Sequence, residues 1–374
     1  MLYKNALIYT PEKRFVRGAF RVEEGRFAEV LDSVPEEDGV DLGGAYVVPG
    51  LVDIHTHGNS GADFSDGETE GLARMGAYLA HNGVTSFAAT SMTLPFDVLA
   101  RAFGTAVSYR RETPPGHARL LGIHMEGPFF SEKKKGAQNA AYLRLPDFEA
   151  FCALYDGCGG LIRIVDVAPE LVGAEDFTRN AARLCTVSVA HTDADYASAC
   201  AVFDAGATHL THLFNAMPPI HHREPGVIGA ASERGVRAEL ICDGLHVHES
   251  AVRMAFRLFP GRVCLISDSL RCCGMPDGEY TLGGQDIVLK GRLATLRDGT
   301  IAGSASNLWD CLQNAVRFGV ALEDALESAT ILPARAVGAE DLVGSIEPGK
   351  LADFVVCDKM LVRKSVYLGG EKLD

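Results

Sequence analysis

The sequence predicts an α/β protein built as a (β/α)8 barrel, with a small all-β domain made from both chain ends. Three observations carry this. A length of 374 residues exceeds a typical single domain of about 100 to 200 and fits one large core plus something smaller. After Pro49-Gly50 short apolar runs alternate with helix-length amphipathic stretches, the pattern of βα units around a parallel sheet. The segments at the two ends share a β composition that the middle lacks.

Residues 2–48 read as several short strands, because Ala19-Phe20-Arg21-Val22 alternates and Glu24-Gly25 and Gly43-Gly44 mark turns. Eight candidate strands follow at 51–55, 84–89, 120–125, 161–167, 186–190, 207–211, 236–242 and 263–267. Helical patterns lie between them, for example at 70–81, 95–111, 194–205 and 249–258. Eight strands with intervening helices suggest a barrel. Residues 278–299 return to β character and predict an inserted hairpin set, followed by helices at 306–318 and 322–336. The tail, 350–373, is β again through Ala352-Asp353-Phe354-Val355-Val356. Pairing it with the N-terminal segment gives one domain of residues 1–48 and 347–374 beside a barrel of residues 49–346.

Charged residues at 22% and hydrophobic ones at 47% describe a globular chain rather than a disordered one. A net charge of −14 disfavours nucleic acid as a partner, and an anionic substrate would require a local positive pocket. The ten cysteines are scattered without a CxxC pair, as expected of reduced thiols in a cytoplasmic protein. The N-terminus has no apolar stretch followed by a cleavage pattern, so no secretory signal is expected. The longest uncharged run, residues 75–96, is interrupted by His81, Asn82, Gly83 and Pro95, so no membrane span is expected.

In such a barrel the active site lies at the C-terminal ends of the strands. The first strand runs into Asp53-Ile54-His55-Thr56-His57, and the third into His124-Met125-Glu126-Gly127-Pro128. The fifth runs into Ala190-His191-Thr192-Asp193, and the sixth into Thr211-His212-Leu213-Phe214-Asn215. The seventh reaches Asp243-Gly244-Leu245-His246, and the eighth Ser267-Asp268.

His55 and His57 stand two apart on an extended segment, so both imidazoles share one face and suit one ion, although a lone His-x-His also occurs as a solvated pair. Glu126, His191 and His212 come from three strands and meet only through folding. Such a His/His/Glu set with an open position is the pattern of catalytic zinc and related divalent ions. His124 is assigned to the barrel lining or to supporting a ligand, and His209 to the hydrogen-bonded core. Asp268 closes an apolar strand, where a carboxylate can take a proton from an attacking water and return it to a leaving group. Capping of a following helix is its alternative role, which the glycine-rich Cys273-Gly274-Met275-Pro276-Asp277-Gly278 disfavours. Arg223 and His246 could form a phosphate clamp from a planar guanidinium and a ring donor; a surface ion pair of Arg223 is equally compatible.

Together these residues resemble the amidohydrolase superfamily and, within it, the N-acetylglucosamine-6-phosphate deacetylases. The similarity spans nearly the whole chain. It runs through PGLVDIHTHG at 49–58, Glu126-Gly127-Pro128-Phe129, Ala168-Pro169-Glu170 and HLFNAMPPIHHREPG at 212–226. It continues through DGLHVH at 243–248, TIAGSASN at 300–307 and GSIEPGKLADFVV at 344–356. HLFNAMP with REPG is far more specific than His-x-His, which marks only the superfamily.

The resemblance implies a distorted, TIM-like (β/α)8 barrel with a β-sandwich formed by both termini. It implies a metal site of Glu126, His191 and His212, with Asp268 as acid and base. Asn215, Ala216, Arg223 and His246 are implied to contact the sugar phosphate, and Ala137, Gln138, Ile301, Ala302 and Gly303 the sugar or its acetyl group. The expected cofactor is one divalent ion, or two if His55 and His57 hold a second bridged by Glu126: zinc, with iron, manganese or cobalt as alternatives. The implied reaction is metal-dependent hydrolysis of N-acetyl-D-glucosamine 6-phosphate to glucosamine 6-phosphate and acetate in amino-sugar catabolism. A homodimer is implied, with Arg223 reaching across the interface.

The chain departs from the family pattern in carrying Gln138 where some members have His, and in the bulky run Ser269-Leu270-Arg271-Cys272-Cys273. Dihydroorotases and hydantoinases bridge their metals with a modified Lys at the end of the fourth strand, but Asp166-Val167-Ala168-Pro169-Glu170 contains none. A base deaminase leaves Arg223 without a partner. Another N-acetylated sugar phosphate or a cyclic amide stays open as substrate; a metal-free binding scaffold is disfavoured by the presence of every ligand type and of Asp268.

Overall fold

The computed structural model describes residues 1–373. Its centre is a parallel barrel of eight strands: Leu51–Thr56, Val84–Ser91, Arg119–Met125, Ile162–Val167, Thr186–Val189, His209–Leu210, Arg237–Ile241 and Val263–Ile266. Helices wrap the outside, so the strands are buried on both faces; every residue of Val84–Ser91 is inaccessible to solvent. Their termini carry local signals, such as the Asp147 and Asp195 side chains accepting from backbone N–H groups at the starts of helices Phe148–Gly157 and Tyr196–Asp204.

The barrel is distorted at two places. Its first and eighth strands share no continuous ladder; the seam is closed by Asp268 N–H donating to the His55 carbonyl at 2.9 Å and by a bridge between Thr56 and Ser269. The sixth strand has only two residues, against the expected span of 207–211, because the chain turns out of the ladder at His212.

Two further expectations are corrected. The helix predicted over 322–336 is two helices, Leu322–Ala329 and Ile331–Ala336, broken at Thr330. Pro333 has no N–H to offer and its ring would clash with the carbonyl of Ala329 in a continuous helix. The inserted β segment extends past residue 299 as four antiparallel strands, Gly278–Leu282, Gln285–Lys290, Leu293–Leu296 and Ile301–Ser304. Ser304 is fastened to the end of the eighth barrel strand, through Ser304 N to the Asp268 carbonyl at 2.8 Å and Leu270 N to the Ser304 carbonyl at 2.9 Å. That anchor suspends Ile301, Ala302 and Gly303 over the barrel mouth.

The chain ends combine in one eight-stranded sheet, in which Phe354–Cys357 pairs antiparallel with Tyr46–Pro49. Phe27 and Phe354 lie four strands apart along it, about 19 Å in a flat sheet, yet their ring centroids are 6.2 Å apart. The sandwich is therefore a single sheet folded over a core of Tyr3, Phe20, Phe27, Phe354 and Tyr367. All ten cysteines are unpaired. Among the described residues no helix is long and apolar enough to cross a membrane.

Candidate active site

The strand ends aim their side chains by reversing the backbone. His191, His212 and Asp268 have φ values of 44°, 28° and 48°, a conformation that costs a residue with a Cβ about 1 to 3 kcal/mol and recurs where geometry serves a site. Their side chains converge with Glu126 on one buried point.

Glu126 is the hub. Its Oε1 lies 3.1 Å from Nε2 of both His191 and His212, and those two nitrogens are 3.2 Å apart. His191 Nδ1 is 2.8 Å from the Lys134 carbonyl, to which it must donate. In a neutral ring Nε2 then carries a lone pair, and it faces a carboxylate oxygen and another imidazole. Acceptors crowded in this way call for a cation, and an imidazole–imidazole–carboxylate set suits zinc and its neighbours.

A second group adjoins the first. His55 Nε2 lies 3.7 Å from Glu126 Oε1 and 3.5 Å from Asp268 Oδ1, and His57 Nε2 lies 3.4 Å from Glu126 Oε2 and 3.3 Å from Asp268 Oδ1. His55 Nε2 is buried without a hydrogen-bond partner. His55, His57 and Asp268 thus form a second group that could hold a divalent ion, and the Glu126 oxygens lie close to it. Burial alone would lower the pKa of His57, but its hydrogen bond to Asp268 and the charge of Glu126 outweigh burial and push it up to about 9. Burial would raise Glu126, yet hydrogen bonds from His191 and His212 hold it well below the usual carboxylate range. Asp268 is likewise lowered despite burial, by the adjacent imidazoles of His55 and His57, the latter through a hydrogen bond, so it is an ionised acceptor.

Beneath this layer lies a polar core. His124 Nε2 meets Asp166 Oδ1 at 2.9 Å and His209 Nε2 meets Glu239 Oε1 at 3.2 Å, so both histidines support the site from inside the barrel. Glu239 also approaches His55 Nδ1 at 2.9 Å. Burial would raise the Glu239 carboxyl, but the surrounding histidines hold it well below its ordinary range.

Above the hub a cavity of about 250 Å3 is lined by His57, Glu126, His191, His212 and Asp268. Ala137, Gln138, Asn215, Ala216, His246, Ile301, Ala302 and Gly303 line it too. His55 sits deeper. Arg223 is not brought to this cavity: it is exposed, lies 2.8 Å from His222 Nε2 and lines a separate concavity with Asp193, Tyr196 and Pro218. His246 is anchored through Nδ1 to Asp243 Oδ2 at 2.7 Å. Burial would raise Asp243, but the bonds and charge of His246 lower it to about 2.

Residues to which sequence reasoning assigned no site role include Met92, Gly136 and Thr300 in the wall and Glu239, Asp166 and Asp243 in support. Glu239 did carry a signal, as a lone carboxylate inside the apolar strand Arg237–Ile241. Met92 and Gly136 carried none, since a wall residue on a connecting loop shows no periodicity.

The model of the amidohydrolase family matches residues 168–372. An N-acetylglucosamine-6-phosphate deacetylase of Bacillus subtilis (strain 168) is 37% identical over 95% of this chain and 92% of its own length. An N-acetylgalactosamine-6-phosphate deacetylase of Escherichia coli O157:H7 is 33% identical over 94% of this chain and 93% of its own. Among solved structures, an Asp-to-Ala mutant of N-acetyl-D-glucosamine-6-phosphate deacetylase from Mycobacterium smegmatis, in complex with N-acetyl-D-glucosamine-6-phosphate, superposes with a TM-score of 0.93. It is 33% identical, covering 100% of this chain and 98% of that one.

Proposed function

This chain belongs to the amidohydrolase family, among the N-acetylglucosamine-6-phosphate deacetylases, and from that premise we propose that it hydrolyses N-acetyl-D-glucosamine 6-phosphate to glucosamine 6-phosphate and acetate in amino-sugar breakdown. The observation that carries this reading is the position of Asp268, an ionised carboxylate beside a convergent donor set and within the wall of a cavity.

Glu126, His191 and His212 hold one divalent ion in this reading, and His55 and His57 a second; zinc fits the donors, as do iron, manganese and cobalt. A divalent ion there supplies Lewis acidity toward the acetyl carbonyl and acidifies a water. Asp268 takes the proton as the water oxygen bonds to the acetyl carbon, then hands it to the nitrogen as the C–N bond breaks. Acetate and the free amine leave. Gln138 holds Glu126 in place, while Asn215, Ala216, His246 and the loop of Ile301, Ala302 and Gly303 orient the sugar, its acetyl group and its phosphate.

Arg223 supplies the phosphate's guanidinium from a second copy of the chain, in a homodimer. Two observations support this: Arg223 lies outside its own cavity, and Ile220, three residues before it, is left 47% exposed. The unpaired cysteines support a cytoplasmic setting. A panel of N-acetylated glucosamine and galactosamine, each with and without a 6-phosphate and read by free amine, tests the reaction. The galacto epimer belongs in it because one relative carries that name.

A further inference from the structure

Glu239 is a carboxylate at the centre of the barrel, fully buried and outside the cavity wall. Its Oε2 lies 2.9 Å from His55 Nδ1 and 3.3 Å from the backbone N of His212, and its Oε1 lies 3.2 Å from His209 Nε2 and 3.7 Å from His124 Nδ1. Every neighbour at these distances is a ring or backbone nitrogen, so Glu239 serves as an acceptor among donors.

We propose that Glu239 is the positioning residue that makes His55 a metal ligand. As the acceptor for Nδ1 it keeps the proton on that nitrogen, and so keeps the lone pair of His55 on Nε2. Nε2 is the atom left unpartnered, 3.5 Å from Asp268 Oδ1 and 3.7 Å from Glu126 Oε1. With the opposite tautomer Nε2–H would point into the donor cluster and close the second ion position. The same bond fixes the ring orientation, because it is the one side-chain hydrogen bond the His55 ring makes among the described residues. Outer partners of this kind change metal affinity about 10- to 100-fold when removed. The inference rests on the proposed two-ion site and is independent of which sugar is hydrolysed.

The test is calorimetric titration of the metal-stripped full chain with Zn2+, alongside elemental analysis. Wild type should show two binding events, and His55→Asn should remove the weaker one. Glu239→Leu, which removes the acceptor, should weaken that event by about 10- to 100-fold and the tighter event less. Glu239→Gln retains one acceptor oxygen and should recover part of the lost affinity, which a purely structural role does not predict. Should Glu239→Leu fail to fold, Glu239→Gln alone decides, as it should still bind the second ion more weakly than wild type. A single event in wild type, equal weakening of both events, or an unchanged second event in Glu239→Gln would each overturn the proposal. Deacetylation by a one-ion wild type would overturn it and leave the deacetylase reading standing; two ions without deacetylation would do the reverse.

Discussion

Gln138 and Glu126 are joined by a hydrogen bond of 2.6 Å whose direction is set from behind. The Thr93 N–H donates to Gln138 Oε1 at 2.8 Å, so the amide must present Nε2 to Glu126 Oε2. Gln138 thus accepts one bond and donates one. It is a support for the hub carboxylate, and the second hydrogen of its Nε2 stays available in the cavity wall.

Replacing Gln138 with Ala removes a hydrogen bond to a charged group, worth about 1.5 to 3 kcal/mol. Urea unfolding of the metal-free protein should show a stability loss of that order. Elemental analysis should show lower ion content at equal metal concentration.

For Asp268→Asn the expected result is a fall in turnover of about 10²- to 10⁴-fold, the range for a lost general acid and base. The ion at Glu126, His191 and His212 should remain bound. Steady-state kinetics with metal analysis on the same sample check both halves.

Glu126→Gln, His191→Asn and His212→Asn should each lower ion content and activity together, whereas His55→Asn and His57→Asn should remove at most one ion. Chelation should abolish activity and added divalent metal restore it. Ion content unchanged in the first three variants would contradict the assignment.

Arg223→Ala should lower kcat/KM for the phosphorylated sugar roughly 10- to 150-fold, the equivalent of a charge-assisted hydrogen bond of about 1.5 to 3 kcal/mol. The unphosphorylated sugar should be barely affected. Dilution below the dimer dissociation constant should reproduce the same selective loss in wild type.

Asp243 is held at about 2 by His246, below its ordinary 3.8. A depressed carboxyl stabilises the fold above its unfolded pKa, and the contribution disappears as pH falls through the folded value. Stability should thus drop by about 2 kcal/mol between roughly pH 4 and pH 2 through this group, and Asp243→Asn should flatten that part of the curve. Denaturant titrations across that range measure it.

Much of this was readable in the sequence, because six of the eight barrel strands are short apolar runs ending in a ligand-type or titratable residue. His55, Glu126, His191, His212 and Asp268 were found at strand ends, and the structure brings them together. Pro333 carried the helix break in plain view. The bond from Gln138 to Glu126 was not readable, since it joins a loop to a strand end through Thr93, and no periodicity reports such a contact. The place of Arg223 was legible in part: its neighbours left a phosphate clamp and a surface ion pair equally open, and the structure puts it at the surface, outside the cavity.

The most direct measurement is the release of amine and acetate from N-acetyl-D-glucosamine 6-phosphate by the zinc-loaded protein, run in parallel with Asp268→Asn. Equimolar products from wild type, and at least about 10²-fold slower release from the variant, are the expected result. No amine from the ion-loaded wild type, or equal rates from the two proteins, would contradict deacetylation through Asp268.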